Sequence, residues 1–194
     1  GRIEYALNGG RLNADSIDNS AGVDCSDHEV NIKILIDSQI AAGALSTKQR
    51  NPLLARMTDE VGALCLVDNY QQSQAITHSQ SLAADALDDQ VRLMRMLERA
   101  DLLNRSVEFL PDDETLEERA QHKIGLTRPE IGVLLSYSKN WLYAVLLESD
   151  LPDDPHLAAD LAEYFPTPLQ RHHAKAIAKH RLRREIVATV AANV

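Results

Sequence analysis

The run NADSIDNSAGVDCSDHEVNIK, from Asn13 to Lys33, decides how this chain reads: polar and small residues lead straight into a strongly apolar segment. Within it, Ser26-Asp27-His28-Glu29 has the spacing of a capping box, in which the serine hydroxyl and the glutamate carboxylate satisfy each other's backbone N–H groups. A helix is therefore predicted to start at Ser26. Val30, Ile32, Ile34, Leu35, Ile36 and Ile40 follow on nearly all sides, so this helix should be buried and should stop near Gly43. Its mouth would expose unpaired N–H groups at the positive end of the helix dipole, with Gly22 permitting close backbone approach. Such a mouth favours an anion, above all a carboxylate, to which Ser26 can also give its O–H.

Working outward, the rest reads as helical scaffold. Aromatics make up only 4% of the 194 residues, and Leu, Ala, Ile and Val carry the apolar content, which favours helix-on-helix packing over a β-sandwich. Arg2–Leu7 reads as a short extended stretch before the Gly9-Gly10 turn, as if left over from an α/β domain, and the chain is expected to be a segment of a longer polypeptide. A helix is predicted from Thr47 to about Ser79, interrupted early by Pro52, with Leu53, Met57, Val61, Leu64 and Cys65 as its stripe. Another is predicted over Leu82–Leu103, then a loop at Leu110–Asp113 and a short acidic helix over Glu114–Lys123. Thr127-Arg-Pro-Glu130 is a second capping box, opening a helix that buries Ile131, Leu134, Leu135, Trp141, Leu142 and Val145. Prolines mark breaks at Leu151–Pro155 and Phe165–Pro168, and a final helix runs from Leu169 to about Ala192. The fold class is mostly α, a multi-helix domain with a short N-terminal extended segment.

A formal net charge of -9 argues against general binding to nucleic acid or to anionic lipid. Charge is uneven, however: Glu108–Glu163 holds 13 acids against 4 bases, whereas residues 164–194 hold 6 bases against the single acid Glu185. That basic tail, with His172, His173 and His180, reads as a solvated face pairing with acidic segments rather than a nucleic-acid contact, because aromatic interleaving is absent. Cys25 and Cys65 show no secreted framework, which points to free thiols in the cytoplasm, with Cys65 a small buried hydrophobe. No apolar run approaches the roughly 18 residues that cross a bilayer. Cys25 and His28 are three apart among acids, but no second Cys/His pair completes a zinc set, so no metal is expected.

Asn19-Ser-Ala-Gly-Val23 with Ser26 and Glu29 resembles the Asn-Ala-Gly-Gly-Val…Ser…Glu signature of glutamate dehydrogenases. The wider blocks GGRLNADSIDNSAGVDCSDHEVNIKILI, RNPLLARMTDEV, GLTRPEIGVLLSYSK and HRLRREIVATV are similar to the large-subunit, NAD-specific, bacterial-type branch of that family. The resemblance implies NAD as cofactor, L-glutamate and 2-oxoglutarate as substrates, and a homo-oligomeric parent enzyme. It also implies roles for single residues: Asn19 and the backbone of Ala21, Gly22 and Val23 beside the nicotinamide, and Ser26 on the substrate's side-chain carboxylate. Ser20 stands where the family more usually has Ala, and Ala21 where it has its first Gly.

No G-x-G-x-x-G fingerprint occurs in the chain, and the resemblance puts the family's catalytic Lys and Asp before Gly1. No catalytic residue is therefore expected here, and the chain alone should be inactive. On this reading residues 1–25 end the dinucleotide-binding, catalytic domain, and 26–194 form a helical domain with a possible sub-boundary at 150–156. The alternative is a non-enzymatic helical interaction module, with a basic docking tail and no site at Ser26.

Overall fold

The computed structural model describes residues 1–193. They form ten α-helices joined by turns, with no strand among the described residues: α1 (Arg2–Leu7), α2 (Asp15–Asp18), α3 (Ser20–Ala41), α4 (Thr47–Leu82), α5 (Leu87–Arg99), α6 (Asp113–Gln121), α7 (Arg128–Glu148), α8 (Ala158–Glu163), α9 (Thr167–Ile177) and α10 (Arg183–Ala192). Two compact units result: Gly1–Ser20 with Asn69–Trp141, and Ala21–Asp68 with the residues from Leu142 onward. No described helix is long and apolar enough to cross a membrane.

The expected extended segment is instead helix α1. Six residues of alternation cannot separate a strand from a helix; Glu4, Ala6 and Leu7 favour helix, and the Tyr5 N–H closes the first turn on the Gly1 carbonyl at 2.9 Å. Nor does Pro52 interrupt α4, which runs unbroken from Thr47. Proline removes one hydrogen bond there, while Leu53 and Met57, both buried, hold that turn against the core of the second unit. The helix predicted over Leu82–Leu103 is shorter, since Ala83–Ala86 forms a 3-10 turn with Ala83 at φ +46. The last predicted helix is two, α9 and α10, separated at Ala178–Leu182.

In the first unit, Ile17, Ile76, Met94, Leu97, Leu116, Ile131 and Leu134 form one core. Gly132 sits where α7 passes residues 14–17, and an added Cβ would stand 3.2 Å from both Ala14 Cβ and Ile17 Cγ1. Of the capping box expected at Thr127, the half made by Glu130 is present. Glu130, 1% exposed, accepts from the Thr127 N–H at 2.7 Å and from its hydroxyl at 2.8 Å. Its carboxylate is also held by both terminal nitrogens of Arg119, at 2.8 and 3.0 Å, so the buried charge is paired and fully hydrogen-bonded.

In the second unit, Ile32, Leu35, Ile36, Met57, Phe165, Leu169, Ile177 and Ile186 pack together. Gly43 at φ +72 ends α3, as expected of a glycine stop. Glu60 accepts from the Thr167 N–H at 2.7 Å and so caps α9 from α4. Arg184 donates to the carbonyls of Leu147 and Ser149, at 2.9 and 3.0 Å, and closes the end of α7. Val145, expected to be buried, is 44% exposed, and Leu146 takes the inward position one residue on.

Removing one partner of a buried, hydrogen-bonded ion pair leaves the other charge uncompensated, at about 3 to 5 kcal/mol. Glu130→Gln should lower the unfolding free energy by that order in urea titration. A loss below about 1 kcal/mol would show that the pair is not what holds the start of α7.

Candidate functional site

The residues singled out in the sequence lie along the start of α3 and just ahead of it. Asn19 ends α2 in a non-helical conformation (φ −116, ψ 23), with its N–H on the Asp15 carbonyl. Its side chain is exposed and makes no hydrogen bond among the described residues. The junction beside it is pinned by Asn69, whose amide donates to the Ile17 carbonyl and to the Ser20 hydroxyl, both at 2.9 Å. Asn69 carries no local sequence signal, because its partners are 49 and 52 residues away.

Helix α3 begins at Ser20, not at Ser26, which corrects the expected capping box. The Ser26 hydroxyl lies inside the helix and donates to the Gly22 carbonyl at 3.2 Å, while the Glu29 carboxylate turns forward to Lys33. The positive end of the helix dipole therefore falls on the turn Ser20–Val23, a turn and a half before Ser26. Gly22, Val23, Ser26 and Val30 share one stripe of α3, and all four are exposed, Val23 at 77% and Val30 at 52%.

The opposite face carries a buried polar cluster. The Tyr164 hydroxyl donates to Asp27 Oδ2 and accepts from Asn31 Nδ2, both at 2.8 Å, and its ring stacks on His28 at 4.3 Å. Nε2 of His180 lies 3.1 Å from the Asn31 carbonyl, and its Nδ1 accepts from the Leu182 N–H at 3.1 Å. Because Nδ1 is an acceptor, Nε2 must carry the proton, so His180 is held as the neutral tautomer. It is a buried structural group rather than part of a solvated basic face. In the same tail, Arg183 and Arg184 pair with Asp153, while Arg171, Lys175, Lys179 and Arg181 are exposed.

Cys25 and His28 do not converge. The Cys25 sulfur faces that of Cys65 at 3.2 Å, and both thiols are free. Asp24, His28 and Asp68 each bring one donor atom within 4.8 Å of the others. Burial pushes the His28 and His180 imidazoles below their ordinary value near 6.5, against the opposing pull of Asp24 and Asp27 on His28. Burial, and desolvation above all, pushes the Tyr164 phenol far above its ordinary range.

Two outcomes follow from this geometry. A serine inside a helix is a slightly poorer helix former than alanine, so Ser26→Ala should leave stability unchanged or raise it by a few tenths of a kcal/mol; loss of a true cap would cost about 1 kcal/mol. Denaturant titration separates the two. For the histidines, the unfolded chain binds protons more readily than the folded one below about pH 6.5, so stability should be full above that value and should fall as pH drops toward 5. His180→Gln should flatten that acid-side slope; an unchanged slope would remove His180 from the account.

Comparison with known proteins places the sequence in a family. Residues 1–79 match the family model described as bacterial NAD-glutamate dehydrogenase, catalytic domain, and residues 123–194 match glutamate dehydrogenase, C-terminal. The chain is 50% identical over 193 residues to an NAD-specific glutamate dehydrogenase of Halomonas elongata, and 50% identical over 192 residues to that of Pseudomonas aeruginosa. It is 45% identical over 193 residues to that of Mycobacterium tuberculosis. These alignments cover 99 to 100% of the chain and 12% of each relative, so the chain spans about an eighth of the proteins it matches. It belongs to the bacterial NAD-specific glutamate dehydrogenase family.

Proposed function

We propose that this chain supplies one wall of the active site of an enzyme that converts L-glutamate, NAD and water to 2-oxoglutarate, ammonium and NADH. In that wall Ser26 donates a hydrogen bond to the substrate's side-chain carboxylate. Asn19 and the backbone of Ala21, Gly22 and Val23 stand beside the nicotinamide, and no metal takes part. Residues 1–25 close the dinucleotide-binding, catalytic domain, and 26–194 form the helical domain, with a sub-boundary at 150–156.

The observation that carries the reading is the exposed stripe Gly22, Val23, Ser26 and Val30 on a helix whose other face is packed. Apolar Val23 and Val30 flank the one hydroxyl of the stripe, the arrangement expected of a surface that another segment and a ligand would cover. The residues also suit the cofactor: the Asn19 amide is uncommitted, and Ala21 and Gly22 leave the backbone of the first turn open to close approach. NAD, when bound, accepts the hydride. The chain's own part is to orient: Ser26 fixes the far carboxylate, and the Asn19 amide can hydrogen-bond a carboxamide or a substrate oxygen.

In the full-length enzyme, Ser26→Ala should raise the glutamate KM roughly 10- to 100-fold, since a hydrogen bond to a charged group contributes about 1.5 to 3 kcal/mol. An unchanged KM would sink the carboxylate role. The 194-residue chain alone should form no NADH from glutamate and NAD, because no residue in it is assigned to hydride or proton transfer; measurable turnover would overturn the division of labour.

A further inference from the structure

Arg128 is a nearly buried guanidinium without a counter-ion. It is 8% exposed and donates only to neutral acceptors: Asn13 Oδ1 at 2.9 Å, Thr77 Oγ1 at 3.0 Å and Gln80 Oε1 at 3.3 Å. Its second terminal nitrogen has no acceptor among the described residues. The chain's other well-shielded arginines behave differently, Arg119 being clasped by Glu130 and Arg105 by Glu98 and Asp113. A buried charge left unpaired is costly, so such a site calls for an anion.

What Arg128 faces is a cavity of about 380 Å³, lined also by Gly9, Gly10, Arg11, Gln80 and Thr127. Arg11 adds a second guanidinium, likewise without an ion pair among the described residues. Desolvation and the nearby Arg11 charge push Arg128 below the ordinary arginine value, while Asp18, already engaged by Arg2, pulls the other way. Thr127 stands at the N-terminus of α7, where the Glu130 carboxylate already takes its N–H, so the positive character of the space rests on the two guanidinium groups. Gly9 (φ +88) and Gly10 leave bare backbone along the lining; a Cβ on Gly10 would collide with the Tyr5 ring at 2.1 Å.

We propose that the Arg11–Arg128 cavity binds a small phosphate-bearing ligand, with the two guanidinium groups sharing its oxygens. Two fixed positive groups match the double charge and several oxygens of a phosphate better than the single charge of one carboxylate. The volume falls within the range of small-molecule sites and exceeds what a bare ion fills. None of Asn19, Ala21, Gly22, Val23 or Ser26 is used, so the assignment stands apart from the proposed role in glutamate oxidation.

Titration calorimetry of the 194-residue chain with inorganic pyrophosphate, AMP and, as a dicarboxylate comparison, 2-oxoglutarate tests this. Pyrophosphate or AMP should bind with a Kd of about 1 mM or tighter. Affinity should fall with added salt and weaken roughly tenfold in Arg11→Ala. Arg11 is exposed, so that variant should keep the wild-type circular dichroism; Arg11→Lys should recover part of the binding if charge rather than shape is read. Absence of phosphate binding, binding undiminished in Arg11→Ala, or binding of 2-oxoglutarate alone would each overturn the proposal.

Discussion

The rotation of α3 about its own axis is set by one turn, Asp27 to Asn31, and the accessibility of every residue on its outer stripe depends on it. The Tyr164 hydroxyl bridges Asp27 and Asn31, the His28 ring lies on Tyr164, and His180 reaches the Asn31 backbone carbonyl. Each bond contributes only about 1 kcal/mol net, but a buried donor or acceptor left without a partner costs more. Turning the helix by one residue would break the set together. With that face fixed inward above Leu35 and Ile36, the helical period leaves Gly22, Val23, Ser26 and Val30 outward.

That dependence explains what the sequence showed and what it hid. The Glu130 contact to Thr127, the glycine stop at Gly43 and the apolar stripes of α4 and α7 are legible because each rests on neighbours within a turn or two. Ser26 carried the same Ser-x-x-Glu pattern as a cap, yet the pattern does not exclude a place inside a helix. Glu29 found Lys33 four residues on, a pairing any helix offers, and a turn already begun at Ser20 consumed the N–H groups that a cap at Ser26 would have served.

The misplaced elements share a cause. His180 stands in a run of basic residues, so its local context reads as solvated, and besides the neighbouring Leu182 N–H its partner is the Asn31 carbonyl, 149 residues away. Asn69 and Tyr164 likewise act through distant partners. The candidate residues of the α3 start were named from a family likeness, whereas the groups that hold them in position come from packing, which no short window of sequence contains.

The position of Ser26 also constrains what this wall can do. At a helix mouth, a carboxylate would meet several backbone N–H groups together with the hydroxyl. Inside the helix, the N–H groups around Ser26 are turned into the helix's own hydrogen bonds, and a single hydroxyl remains to recognise the ligand. Its present bond to the Gly22 carbonyl, at 3.2 Å, is long for O–H···O, so exchanging it for a charged oxygen is favourable. One hydroxyl can select and orient a carboxylate, but it cannot neutralise one. In the proposed enzyme the compensating positive charge must therefore come from another group, and the part proposed for Ser26 lies in the alignment of the substrate rather than in its charge.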